Sequence, residues 1–486
     1  MAESKRAVVR KGDLTEGGIV SKLTLFALPL IAGNIVNQLY NVADSVVVGN
    51  FVGSDALAAV GVCFSVMMCF NALFFGLSMG AGILIAQCFG AKRQKQLQDA
   101  VNTSFTLTLI LGAAITVLGA LLSRSILSLM QTPENILEDS TTYLSIIFFA
   151  TIGNMIYNMG SGILRGMGDS RWPLIFLIFC SVMNVVLDLV FVIYLNMGVA
   201  GVAWATLISQ CSSAVLVLLR IHLGRYAVRI QFRHLGIKKE SLMHILRLGL
   251  PSGIQEMAYS AGMMVVQSFT NGFGSDFIAA NSIIMKVDGF AVMPMMGLGS
   301  AIATFVGQNM GAGKLERTKK GIRAATAMVT GIGLVVGVLF LLFGHYLLRA
   351  FTSNEPVIEM AMNGLRFLAF IYTIMGIGSV VGGAMRGAGA SIAPMITSLC
   401  GLVVRIPVAY FCAVVPHNYM GLFVAMASAM IVNCVLISIY YFKGNWRSKT
   451  AVHADPEPQA NKSAFWRKRL IKLFGKSLLL QKPPIF

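Results

Sequence analysis

The chain has 486 residues, 56% of them hydrophobic and 12% charged, against roughly 25% charged in an ordinary globular protein. Mean hydropathy is +0.75, and there are 49 glycines but only 13 prolines, which excludes a disordered chain, a collagen-like chain and a soluble enzyme of this length. The 38 basic and 20 acidic residues leave a net charge of +18; in so apolar a chain this excess reports which way the loops face rather than affinity for nucleic acid. Eight scattered cysteines form no CxxC pair and no Cys/His cluster, so neither a disulfide framework nor a metal site is expected. The charged start MAESKRAVVRKGD lacks a signal-peptide cleavage pattern, so the first apolar stretch is expected to stay as a span.

A membrane span needs about 20 mostly apolar residues, since a helix rises about 1.5 Å per residue across about 30 Å of hydrocarbon. Twelve such stretches follow in order: 22–48, 57–86, 100–122, 138–162, 172–195, 199–220, 243–270, 278–308, 322–344, 358–383, 392–415 and 419–442. The basic residues cluster in alternate loops. Lys92, Arg93 and Lys95 follow the second span, Arg165 and Arg171 the fourth, Arg220 to Lys239 the sixth, Lys314 to Lys320 the eighth and Arg386 the tenth. The other loops hold only Arg124 and Arg349. These even-numbered loops and both termini are therefore expected in the cytoplasm, in a multi-pass membrane protein. Beyond residue 450, KSAFWRKRLIKLFGKSLLL places Phe465, Leu470, Leu473 and Phe474 near one face of a helix, a pattern suited to an anionic leaflet or to a frayed basic tail.

A constant offset of 221 residues aligns the two halves. Gly53-Ser54-Asp55 matches Gly274-Ser275-Asp276, Gln87 matches Gln308, Gly90-Ala91 matches Gly311-Ala312, Arg165-Gly166 matches Arg386-Gly387, and Gly168 matches Gly389. Six spans per half is an even number, so both halves enter the membrane from the same side, as parallel repeats do. The expected fold is an all-α polytopic membrane protein of two six-helix bundles related by a pseudo-two-fold axis. The divisions are an N-terminal segment 1–21, a first lobe 22–220, a basic linker 221–242, a second lobe 243–442 and a basic tail 443–486.

Ionisable side chains are costly at mid-bilayer, about 2.5–3.5 kcal/mol each on insertion scales, so each is a candidate functional residue. In the first span Pro29 permits a bend, and Asn34, Asn37, Asn41 and Asp44 fall on one stripe. Asn184 and Asp188 are four apart in the fifth span, as are Asn154 and Asn158 in the fourth; Tyr143 and Thr206 are further polar candidates. Asp44 and Asp188 together, with amides and hydroxyls beside them, can hold a proton or a sodium ion; the other reading is interhelical hydrogen-bond glue. The second half offers Glu256, Lys286, Asp288 and Arg405, with Arg405 at the repeat position of Asn184. Lys286 and Asp288 are two apart and do not face each other on a helix. The 28 methionines suit either an adaptable pocket or ordinary helix contacts.

The segments LPLIAGNIVNQLYNVADSVVVG, ILRGMGDSRWP, SVMNVVLDLVF, GLPSGIQ and ATFVGQNMGAGK together resemble the multidrug and toxic compound extrusion family, particularly its DNA-damage-inducible bacterial and archaeal branch, over about residues 13–442. The resemblance implies two bundles around a V-shaped cavity and proton- or sodium-coupled antiport of amphipathic, often cationic, compounds, by a monomer needing no cofactor. It implies a coupling role for Asp44, with bending at Pro29, and for the Asn184/Asp188 pair. Asn158, Thr206 and Tyr143 fall where the family places neighbouring polar ligands, and Asn37 where a first-helix amide is expected. Glu256 does not match the family's seventh-helix acid, which lies nearer Tyr259. The rival readings are a flippase of lipid-linked saccharide from the same superfamily, which calls for a strongly cationic cavity, a major-facilitator transporter and an intramembrane enzyme. Against the last, the chain holds no HExxH motif and no Cys/His cluster.

Overall fold

In lipid every backbone polar group must be satisfied within its own segment, and the apolar stretches answer this as long helices. In a computed structural model, residues 12–224, 226, 228–231 and 235–452 are described. The helices are α1 (Ile19–Val47), α2 (Ser54–Gly90), α3 (Gln94–Leu129), α4 (Glu134–Gly166), α5 (Arg171–Leu189) and α6 (Gly198–Leu223), then α7 (Lys239–Asn271), α8 (Ser275–Gly311), α9 (Leu315–Arg349), α10 (Glu355–Gly387), α11 (Ile392–Ala409) and α12 (Met420–Lys443). Among the described residues there is no strand. A π-helical turn extends α1, α5 and α11 to Val52, Tyr194 and Val414. The amphipathic stretch around Phe465 lies outside the described residues.

Eleven of the twelve helices are long and apolar enough to cross a membrane. The exception is α7, expected as a span but interrupted by Pro251, Ser252, Gln255, Glu256 and Ser260. Its polar groups are not spent on lipid: α7 packs against α2 and α11, and Gln255 Nε2 donates to Ser398 Oγ of α11 at 2.9 Å. Large apolar side chains such as Leu121, Leu342, Phe343 and Phe370 stand exposed on the outer faces of α3, α9 and α10, a surface that only acyl chains satisfy. The chain is a multi-pass membrane protein.

The duplication is visible in the packing. In the first half α4 lies against α2, α3 and α6, while α5 joins α6 to α1. In the second half α10 lies against α8, α9 and α12, while α11 joins α12 to α7. The halves then exchange their first helices, α1 packing on α8 and α7 on α2. Gly168 and Gly389 follow α4 and α10 at equivalent turns with φ of +84° and +93°, a conformation that glycine adopts without strain.

Close approach of the halves depends on absent side chains. A Cβ on Gly76 would lie 2.3 Å from the Gly253 nitrogen, and one on Gly80 2.5 Å from that of Gly249. At the ends of α2 and α8 a Cβ on Gly90 would lie 1.9 Å from the Gln308 carbonyl oxygen, and one on Gly311 2.1 Å from that of Gln87. Such contacts let helix backbones meet where hydrophobicity supplies no drive between them. They lie in the half of α2 that leads into Lys92, Arg93 and Lys95.

Residues near both limits of the described chain, Leu14 and Ala451, dock at this basic end. Gln87 Nε2 donates to Gly387 O at 2.9 Å, and its Oε1 accepts from Ala451 N at 2.9 Å. The repeat partner Gln308 donates to Gly166 O at 3.0 Å and accepts from Leu14 N at 2.9 Å. Trp446 is buried against Tyr441 and donates to its carbonyl at 2.7 Å. The connection between halves runs from the end of α6 at Leu223 to the start of α7 at Lys239. It is pinned by Tyr226, whose hydroxyl donates to Asp169 Oδ2 at 2.7 Å and accepts from Arg220 Nε at 3.0 Å. Burial, then the Asp169 carboxylate, push the Tyr226 phenol above its ordinary pKa, so it remains a donor. Gly76→Ala is expected to lose about 1–3 kcal/mol from overpacking. Gly331→Ala, with open space at its Cβ position, is expected to lose none. Thermal unfolding of the two purified variants in detergent checks this.

Candidate functional site: a polar cavity in the first half

The spacings of three and four along α1 carry Asn37, Tyr40, Asn41 and Asp44 to one face, and that face opens on a cavity of about 680 Å³. The volume is within the range of small-molecule sites. Cys63 and Asn71 of α2, Tyr143, Asn154 and Asn158 of α4, and Thr206 and Ser209 of α6 add to its polar lining. Apolar contact comes from Phe64, Met67, Phe74 and Phe75 of α2. The wall contains no lysine, arginine or histidine, so Asp44 is its only formal charge.

Asp188 and Asn184 stand behind this wall. Both are fully buried and neither lines the cavity. One turn of α5 separates them, and the Asn184 amide, oriented by its hydrogen bonds, donates from Nδ2 to Asp188 Oδ2 at 2.9 Å while its Oδ1 accepts from Thr206 N at 3.2 Å. The Thr206 hydroxyl lies 3.4 Å from the same amide and also meets the Tyr40 hydroxyl. Tyr40 lies within electrostatic reach of both Asp44 and Asp188, as does Tyr143. One oxygen of each carboxylate, Oδ1 of Asp44 and Oδ1 of Asp188, has no hydrogen-bond partner. An unmatched buried acceptor of this kind is a place for a proton or a cation.

The site therefore has two layers, an accessible carboxylate on α1 and an enclosed one on α5, bridged by Tyr40 and Thr206. Asn154 and Asn158 form their own pair, the Asn158 amide donating to the Asn154 side-chain oxygen. Asn34 is not on the cavity wall although it shares the stripe. Pro29 sits inside a continuous α1, half-buried and more than two turns from Asn37. Tyr40, one turn before Asp44, was not among the residues singled out by sequence; its i, i+4 relation to Asp44 was the available signal.

The second-half candidates do not gather into a matching acidic site. Asp288 accepts from the Tyr372 hydroxyl at 2.7 Å and does not line the second-half cavity, whereas Glu256 and Arg405 do. Lys286 is exposed and lines neither cavity. Among the described residues no group of three or more His, Cys, Asp or Glu side chains is placed to hold a metal ion.

A family profile described as MatE matches residues 29–190 and 251–411. The chain belongs to the MatE family. The two matches begin at Pro29 and Pro251 and fall one in each half, α1–α5 and α7–α11. A relative named "Probable multidrug resistance protein YoeA" from Bacillus subtilis (strain 168) is 31% identical over 441 residues, which cover 88% of this chain and 94% of that protein. Among solved structures, "Crystal structure of MATE in the bent conformation" superposes with a TM-score of 0.84 at 25% identity, covering 90% of this chain and 98% of the other. A second, "Outward-facing conformation of a multidrug resistance MATE family transporter of the MOP superfamily", gives 0.83 at 25% identity over 90% and 98%. As a MatE protein the chain is a membrane transporter and not an enzyme. Asn184→Ala removes the side-chain amide that donates to Asp188 Oδ2 and is expected to cost about 1–3 kcal/mol, read as a lowered thermal midpoint. Asn37→Ala, on the open wall, is expected to leave that midpoint within a degree or two.

Proposed function

We propose that this chain is a proton- or sodium-coupled antiporter that exports amphipathic, often cationic, organic compounds by alternating access. The observation that carries the reading is the first-half cavity, which is large enough for an organic cation, offers aromatic and methionine surface, and holds Asp44 as its sole charge. Asp188, behind Tyr40 and Thr206, is the second coupling carboxylate, and Asn184 orients it. A cation arriving at these acids and an organic cation in the cavity then compete for the same negative charge. Their coupling is no larger than the difference in their affinities for the two facing states. The names of the relatives, which include multidrug resistance proteins, agree with this substrate class. The flippase alternative needs a cationic cavity for a diphosphate, and the first-half wall has no basic residue.

The lobes in this reading span 22–220 and 243–442, with tails and the 221–242 linker on the cytoplasmic face of a bacterial inner membrane, and the working unit is a monomer. The alternation of basic loops supports that orientation. A fluorescent protein fused after Phe486 is expected to mature and fluoresce, whereas a periplasmic phosphatase fused there is expected to be inactive.

Transport is tested in proteoliposomes by efflux of a fluorescent organic cation under an imposed proton gradient and, separately, a sodium gradient. Wild type is expected to respond to one of the two. Asp44→Asn and Asp188→Asn are each expected to lose at least tenfold in gradient-driven rate. Wild-type rates in both variants would remove the mechanism.

A further inference from the structure

The second half has its own cavity, of about 260 Å³, between α7, α8, α10, α11 and α12. It is the repeat counterpart of the first-half cavity, but its chemistry is inverted. At the 221-residue offset, Asn154 becomes Met375, Asn158 becomes Ser379, Ser209 becomes Met430 and Asn184 becomes Arg405. Five methionines line it, together with Arg386, Arg405 and a single acid, Glu256.

Among the described residues no carboxylate pairs with Arg405. Its side chain is 6% exposed, and its Nε–H meets no acceptor. Its two terminal nitrogens reach only the Met263 sulfur, at 3.6 and 3.5 Å, and a thioether is a weak acceptor. Arg386 is nearly as poorly served: its Nε–H is also unmatched, and Nη1 reaches Gln255 Oε1 at 3.4 Å. Glu256 lies within electrostatic reach of Arg386, so it offsets that cation and not Arg405. Asp288, the other nearby acid, already accepts from Tyr372. A guanidinium fork with unused donors, facing an apolar cavity inside a membrane protein, is built for a planar oxyanion. The methionines supply an adaptable apolar surface for what is attached to it.

We infer that this second-half cavity is a binding site for the oxyanionic end of an amphipathic compound, a carboxylate on an apolar body, held by Arg405. The volume admits the head group and the start of a chain and not a whole drug-sized molecule, so the rest of the ligand extends toward the space between the halves. The protein then accepts zwitterionic and anionic amphiphiles as well as cations, each half taking one sign of charge.

The test is equilibrium binding to the full-length protein in lipid nanodiscs without any ion gradient, so it stands or falls apart from the coupling mechanism. The probes are dansylaminoundecanoate and the matching dansylated undecylamine. Wild type is expected to bind the carboxylate probe saturably, with displacement by decanoate and not by acetate. In Arg405→Met the ratio of carboxylate to amine affinity is expected to fall at least tenfold, and Arg405→Lys is expected to be intermediate. Met430→Trp keeps both arginines but fills the cavity, and is expected to weaken the carboxylate probe at least fivefold. No saturable binding by wild type, or an unchanged ratio in a folded Arg405→Met, overturns the site. Should Arg405→Met fail to fold, unchanged carboxylate binding in Met430→Trp overturns it equally.

Discussion

The arrangement depends on the seam where α2 and α8 meet. Gly90 and Gly311 leave room for the backbones of Gln308 and Gln87, and the two buried glutamine side chains then reach across to Gly387 and Gly166. Each amide uses both its donor and its acceptor there, the acceptor holding a residue from a chain end. A buried amide left unmatched costs more than the bond itself is worth, so the two glutamines lock the seam as a pair.

That seam also explains a polar α7 in a membrane protein. A helix exposed to acyl chains cannot carry Ser252, Gln255, Glu256 and Ser260 cheaply. Packed on α2 through glycine contacts and on α11 through the Gln255–Ser398 bond, it places those groups against protein and toward the second cavity. Exchange of first helices is thus more than a topological detail. It puts α1, with Asp44, and α7, with Glu256, at the border between halves, where a rocking motion would alter their surroundings most. The two cavities share a plan and differ in charge: duplication supplied two equivalent spaces, and divergence gave one a carboxylate and the other an unpaired guanidinium.

Much of this was legible in order of residues. Apolar length marks the spans, and the 221-residue offset pairs Gln87 with Gln308 and Gly168 with Gly389. Helical spacing alone puts Asn37, Asn41 and Asp44 on one face and Asn184 beside Asp188. The covalent chain sets these things because each depends on neighbours within a turn or two, or on a comparison of one segment with another.

The tertiary structure decided what those faces meet. Spacing cannot say that Asp44 lines a cavity while Asp188 lies enclosed behind Tyr40 and Thr206, nor that Asn34 is not on the same wall. Tyr40 passed as one more aromatic of an apolar helix until α6 was set against it. Nothing in the order of residues shows that Leu14 and Ala451 donate hydrogen bonds to glutamines hundreds of residues away. Arg405 was one basic residue in an apolar run; only the packing of five helices shows that nothing there neutralises it. Periodicity determines a side chain's direction from its own axis, whereas solvation and pairing are set by whichever helix lies opposite, and that is a property of the assembled bundle.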